Sequence, residues 1–327
     1  MVADESGIAA GIEPQAGLLA DSAEAFGALT DPYRRALLVH CYRMLGSIDD
    51  AEDAVQEALI RAWNGRATFR QAISLRAWLY RIATNACLDA IERRRRAGGL
   101  EERLGVGPFP DDLLDETAAG PETRYDSHES ISLAFLTALQ LLPPRQRAVL
   151  ILRDVLSWRA SEVAELLELS VPAVTSALHR ARTTLAAEYR RPGGAADRRP
   201  AAAEMVRGLL ERYVRAWEAA DVAGLVALLR DDAVVSMPPG LTVIGRHAIA
   251  AFLADSVFAG GLRIRLAAVR ANGGPGFAIY SGGASDDRLR GYALLVLDTD
   301  GSSIGRMSVF AQPGLIARFG QPAELPG

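Results

Sequence analysis

Apolar residues recur every three or four positions from about Asp21 to Arg96, fade, return in the same rhythm from Ile131 to Arg190, and beyond Ala201 give way to short strand-like runs. A spacing near 3.6 belongs to helices and alternation belongs to strands, so a single uniform architecture is excluded. In the first block the positions are Leu37, Leu38, Cys41, Tyr42 and Leu45, then Val55, Leu59, Ile60 and Trp63, then Trp78, Leu79, Ile82, Ala86 and Ile91, with turns at Gly46-Ser47 and Asn64-Gly65. The break that follows carries Gly98-Gly99, Gly105, Gly107-Pro108 and Pro110, with nine carboxylates against only Arg103 and Arg124. It reads as an extended acidic linker.

The expected organisation is a flexible N-terminus (1–20), a helical domain (21–96), the linker (97–130), a second helical domain (131–190), a hinge (191–202), an α+β domain (203–315) and a C-terminal tail (316–327). A length of 327 residues suits two or three such units. In the third, helices at Glu204–Ala220, Val222–Leu229 and near His247–Phe258 accompany strands at Ala233–Met237, Arg263–Arg270, Gly276–Tyr280, Tyr292–Asp298 and Ile304–Val309. The fold class is multidomain: two all-α domains followed by α+β.

Half of the residues are apolar, yet no run approaches the roughly 20 residues of a membrane span, and Met1–Gln15 lacks a secretory signal. A cytoplasmic protein with no membrane partner is expected. Cys41 and Cys87 sit in apolar helical stretches, where free buried thiols are the rule. No metal and no cofactor are expected. The net charge of -4 excludes nucleic-acid binding through overall charge, so local patches must carry any such role. All 36 basic residues are arginine, which suits phosphate contacts but is explained as well by coding bias.

Two constellations carry chemistry. Ser157–Leu167, the connection Glu168-Leu169-Ser170 and Val171–Leu185 have the spacing of a helix-turn-helix. Ser170 is a natural N-cap, Val174, Ala177, Leu178 and Ala181 form the inner face, and Ala173, Thr175, Ser176, His179, Arg180 and Arg182 are left for DNA. An ordinary helical hairpin is the alternative. The second is the helix that ends in Arg93-Arg94-Arg95-Arg96: alone it is a solvated, dipole-favoured terminus, but Trp78, Tyr80 and Asn85 on its earlier turns add stacking and base-edge groups suited to melted DNA.

Asp50-Ala-Glu-Asp-Ala-Val-Gln-Glu with Trp63, then Trp78-Leu-Tyr-Arg-Ile-Ala-Thr-Asn, then the helix-turn-helix ending His179-Arg-Ala-Arg together resemble regions 2 and 4 of the extracytoplasmic-function sigma factors of bacterial RNA polymerase, over about Ala25 to Arg190. The resemblance implies that Asp50, Asp53, Gln56 and Glu57 dock on the β′ clamp of core RNA polymerase, with the β flap as a further partner surface. It implies that Thr68, Phe69 and Asn85 line the pocket for a flipped base of the -10 element, with Asp89, Arg93 and Arg94 facing the same DNA. The helix from Val171 would read the -35 element, and the linker would thread into the polymerase cleft. Family members often carry Lys and Arg where this chain has Thr175 and Ala177, which shifts -35 readout toward His179, Arg180 and Arg182.

Residues from Ala203 to Leu315 resemble the SnoaL-like branch of the cone-shaped α+β fold shared with nuclear transport factor 2, through Glu211–Leu225, Leu228–Val234, Met237-Pro-Pro and Gly245–Ile249. That resemblance implies a domain that tunes sigma activity and encloses a cavity, which in some relatives hosts Asp-based acid–base chemistry; a small-molecule ligand is a candidate partner there, with Asp231, Asp232, His247, Tyr280 and Arg306 as the candidate polar residues, and whether one binds is left open by the sequence. No complete acid–base set is evident, so catalysis is not expected. The alternatives are a cyclase- or epoxide-hydrolase-type enzyme and a ligand-responsive one-component DNA-binding regulator.

Overall fold

The computed structural model describes residues 22–69, 74–97, 106–114, 130–189, 203–238 and 240–327. The N-terminus (1–20), loop residues 70–73, much of the linker and the hinge (191–202) lie outside the described residues. In chain order the helices are α1 (Ala23–Leu45), α2 (Ile48–Gly65), α3 (Leu75–Arg96), α4 (Leu133–Gln140), α5 (Pro144–Leu150), α6 (Ala160–Leu167), α7 (Val171–Tyr189), α8 (Ala203–Glu218), α9 (Val222–Ala227), α10 (Arg246–Phe252) and α11 (Gly314–Arg318). The strands are β1 (Leu229–Met237), β2 (Leu241–Ile244), β3 (Arg263–Ala271), β4 (Gly274–Gly282), β5 (Arg288–Thr299), β6 (Ile304–Phe310) and β7 (Glu324–Pro326).

Serine starts most of the long helices. The hydroxyls of Ser22, Ser47, Ser74, Ser132 and Ser170 accept from the backbone N–H three residues on, satisfying a donor that the first turn leaves orphaned. Gly46, at φ 77°, closes α1 with its N–H on the Tyr42 carbonyl.

The chain divides into two compact units, Met1–Gly99 with Pro144–Leu178, and Leu100–Pro143 with His179–Gly327. In the first, α1, α2 and α3 pack around Leu37, Cys41, Met44, Ala58, Leu79 and Cys87. Cys41 and Cys87 are buried free thiols, and burial, with the Cys41 sulfur beside it, pushes the Cys87 thiol up. Fully buried His40 meets the Thr84 hydroxyl at 2.9 Å, and that hydroxyl donates to the Tyr80 carbonyl. The ring must therefore donate from Nε2, which leaves Nδ1 without a partner.

The second unit is built on a seven-stranded sheet in the order β2-β1-β6-β5-β4-β3, antiparallel except for β1 with β6, with β7 on the free part of β5. One face packs on α8, α9 and α10 through Leu209, Tyr213, Leu225, Ile249, Phe277 and Leu295. The other carries a smaller core of Tyr280, Leu289, Leu294, Phe310 and Ile316. The expected tail (316–327) is part of this domain: Ile316 is buried, and β7 pairs through Leu325 with Leu289.

The expected extended linker is likewise corrected over residues 106–114. Val106, Phe109 and Leu114 are buried in the second unit, because the apolar residues among the prolines find an apolar edge there. Burying Phe109 contributes roughly 1.5–3 kcal/mol. Pro110 pairs with Ala271 at the β3–β4 turn, whose two residues, Asn272 (φ 55°) and Gly273 (φ 74°), are both left-handed, as the tight turns matching strand twist require.

Asn272 clasps the linker: its Oδ1 accepts from Phe109 N–H, its N–H donates to the Phe109 carbonyl, and its Nδ2 donates to the Ile131 carbonyl, each at 2.9 Å. Asp111 adds a hydrogen bond from Gly273 N–H at 2.8 Å and an ion pair with Arg270 at 3.2 Å.

Two outcomes are expected in urea unfolding. Asn272→Ala strips two buried backbone groups of partners at a left-handed position and costs about 3 kcal/mol, while Asn272→Gly recovers about 1 kcal/mol of that. Burial and then the Arg43 charge hold the His40 pKa near 3, below its ordinary 6.5, so below pH 6.5 only the unfolded chain takes up that proton. Stability falls by about 1.4 kcal/mol per pH unit from pH 6.5 toward 3, and His40→Gln removes that slope.

Candidate functional site

Helix α2 places its acidic residues by helical spacing around an apolar stripe of Ala51, Ala54, Val55, Ala58 and Leu59. Asp53 and Gln56 are exposed, and Asp50 and Glu57 are partly buried. Asp50 pairs with Arg94 at the end of α3, and Arg61 bridges Glu57 at 2.8 Å to Asp89 at 2.6 Å. Asp50, expected to meet protein, and Arg94, expected to meet DNA, thus neutralise one another across α2 and α3, and Arg61 offsets both Glu57 and Asp89.

Asn85 is exposed on α3 with Asp89, Arg93 and Arg94 along the same exposed side. Phe69 is partly buried and packs edge-on against Trp78 at 5.3 Å. Thr68 ends a short 3-10 turn that follows α2.

Trp78 and Tyr80, expected as stacking surfaces, are corrected to interior positions, 9% and 1% exposed. With Leu79 between them, three successive residues are covered, which a helix allows only where it is packed from more than one side. Tyr80 lies 5.1 Å from the His40 ring and 5.4 Å from Trp158, both measured between ring centroids, and Arg76 sits over both Tyr80 and Trp158. Arg81 pairs with Glu168 at the end of α6. Burial raises the Tyr80 hydroxyl above its ordinary range.

The turn between α6 and α7 is set by Glu168, whose left-handed φ of 55° ends α6, and by the Ser170 cap. Along α7, Val174, Ala177, Leu178, Ala181 and Leu185 are buried, whereas Thr175, Ser176, His179, Arg180 and Arg182 are exposed and Ala173 is half-buried. Ala177 is buried, so of the two positions where the resemblance leads one to expect a cation only Thr175 is on the exposed face.

In the α+β domain the five residues expected around a cavity are not brought together. A cavity of about 420 Å³ opens among β1, β4, β6, α8 and α10, and none of Asp231, Asp232, His247, Tyr280 and Arg306 lines it. Strand parity is the reason: Ile279 and Ser281 line the cavity, so Tyr280 points to the opposite face and donates to the Pro322 carbonyl at 2.7 Å. Met307 and Val309 likewise line it, which sends Arg306 to the other side. Asp231 is exposed and paired with Arg246 at 3.0 Å, and His247 is exposed in the first turn of α10.

Asp111 and Asn272 escaped sequence reasoning. An Asn-Gly pair between two strand-like runs was the available signal for the turn, but nothing local marks which distant segment it would hold. Among the described residues no cluster of three metal-ligating side chains occurs, and no helix is long and apolar enough to cross a membrane.

The sigma-70 region 2 family model matches residues 29–97, the sigma-70 region 4 model residues 132–185 and the SnoaL-like domain model residues 210–304. The chain is 43% identical over 321 residues to the ECF RNA polymerase sigma factor SigG of Mycobacterium tuberculosis, spanning 92% of this chain and 85% of that protein. To the ECF sigma factor SigW of Bacillus subtilis it is 31% identical over 51% of this chain and 90% of that one. The crystal structure of SigJ from Mycobacterium tuberculosis shares the fold, with a TM-score of 0.60 over 88% of this chain and 97% of that chain at 22% identity. Two helical sigma regions, a helix-turn-helix with one buried and one polar face, and a SnoaL-like domain behind them place this chain in the family of ECF RNA polymerase sigma factors.

Proposed function

We propose that the chain binds core RNA polymerase through the exposed acidic face of α2, presents Asn85 and the arginines of α3 to the melted -10 element, and reads the -35 element with α7. The observation that carries this reading is the two-faced α7, whose polar residues are exposed on a Ser170-capped helix while its apolar face is buried. Asp53 offers an exposed negative charge, and Gln56 a neutral amide beside it, to the basic β′ clamp, with the β flap as the second polymerase contact. Binding polymerase supplies affinity that a chain of net charge -4 lacks toward DNA by itself.

Tyr80 is buried beneath Trp158 in the free chain, so the described arrangement is a closed one. Promoter recognition then needs α6 to leave the start of α3, which also breaks the Arg81–Glu168 pair. The cone contributes by holding the linker: while Phe109 and Asp111 are seated at the β3–β4 turn, that stretch is withheld from the polymerase cleft. Turnover by the cone has no support in its cavity, which no described carboxylate, histidine or arginine lines.

Replacing Asp53 and Glu57 with arginine should abolish co-sedimentation with core polymerase at an unchanged circular dichroism spectrum. Asn85→Ala should keep that binding and lower promoter opening, followed by permanganate reactivity, at least tenfold. Retained polymerase binding by the double variant would refute the docking face. Asp111→Ala, which frees Gly273 N–H and Arg270 at the clasp, should raise run-off transcription from a cognate promoter several-fold. An unchanged yield would remove the cone's restraining role.

A further inference from the structure

The first half of α7 is uncharged. Between Glu168 and Arg180 the chain has no acidic residue and no arginine, and the exposed positions at the start of the helix are Val171, Pro172, Thr175 and Ser176. The arginines of α7, Arg180 and Arg182, both lie in its second half. Recognition helices meet base edges with their N-terminal residues, so in this chain that task falls to small and mostly apolar groups.

Val171 is 44% exposed although it is aliphatic, and Thr175 lies one turn further along the same face. The Thr175 hydroxyl donates to the Val171 carbonyl at 3.1 Å. Its O–H is thereby turned back along the helix, and its γ-methyl is what remains to face outward. Val174, Ala177 and Leu178 are buried, which fixes the rotation of α7 and keeps Val171 and Thr175 on the outside. The Ser170 cap, accepting from Ala173 N–H at 3.3 Å, holds the turn in which Val171 sits.

A single exposed valine is ordinary on a protein surface. Two aliphatic groups one turn apart, at the leading end of a helix that reads a groove, have one match among the base edges there, the 5-methyl of thymine. Base-edge donors and acceptors set against the same groups would lose water without gaining a partner.

We propose that Val171 and the γ-methyl of Thr175 select thymine, on either strand, at an A·T pair of the -35 element by packing on its 5-methyl group. The proposal rests on the -35 role given above to α7 and adds the base that its uncharged half reads. The arginines of the second half supply position on the backbone, and the methyl contact supplies sequence preference.

The full-length chain, reconstituted with core RNA polymerase, is used to enrich promoter duplexes from an unmethylated library randomised across the -35 region, in which only thymine carries a 5-methyl. The enriched sites should hold a fixed thymine. Replacing it with uracil deletes the methyl and keeps every hydrogen-bonding group, and should weaken holoenzyme binding about fourfold. Thr175→Ser, which keeps the hydroxyl, should at least halve that preference, and Val171→Ala added to it should erase the rest. Thr175→Val, which keeps the methyl and loses the oxygen, should preserve it. The uracil comparison uses the unaltered protein, so it stands whatever the variants do. Enriched sites without thymine, equal affinity for uracil and thymine duplexes, or a preference that survives the double variant would overturn the proposal. Loss of the preference in Thr175→Val would also overturn it, because the oxygen would then be the reader. Failure to enrich any sequence would instead remove the -35 role itself, and this proposal with it.

Discussion

The carboxamide of Asn272 satisfies one backbone group 163 positions away and another 141 away, while its own left-handed backbone makes the tight turn that joins β3 to β4. Few side chains could do both, because the conformation favours glycine or asparagine and glycine has no amide to offer. The strand hairpin and the seating of the linker therefore share one residue. A stretch rich in proline and glycine, which would otherwise pay the full entropy of ordering, is held by hydrogen bonds in a dry setting together with the buried ring of Phe109.

Much of the molecule was legible in its sequence for identifiable reasons. Long helices with serine caps and a regular apolar period announced themselves, as did the division of α7 into an inner face of Val174, Leu178 and Ala181 and an outer face of Thr175, Ser176, His179 and Arg180. Five strands were visible because their apolar runs are five to eight residues long. The short β2 and β7 were not, since three or four residues carry too little pattern and are defined by what they pair with.

The misplaced site residues share a different cause. Tyr280 and Arg306 were grouped by chemical type, but the side of a sheet that a residue faces depends on parity, and parity is fixed by register and bulges such as those between Ile279 and Tyr280 and between Asp298 and Thr299. Trp78 and Tyr80 were judged from their own helix, whereas Tyr80 is covered by Trp158, nearly eighty positions along the chain, and Trp78 packs edge-on against Phe69 from the preceding loop. Composition showed that aromatic rings were present; only packing shows whether they are available.

The pairing of Asp50 with Arg94, and of Arg61 with both Glu57 and Asp89, gives the region 2 bundle a property of a logical conjunction. A carboxylate that turns to a basic protein surface releases an arginine for phosphate, and an arginine that turns to phosphate releases a carboxylate. Neither partner alone recovers the full attraction, because each must first break an internal pair, while two partners arriving together share that cost. On the docking and DNA faces proposed above, these pairs would keep the free chain from lingering on bulk DNA or on unrelated basic proteins, and its electrostatic surface would be fully expressed only where polymerase and promoter coincide.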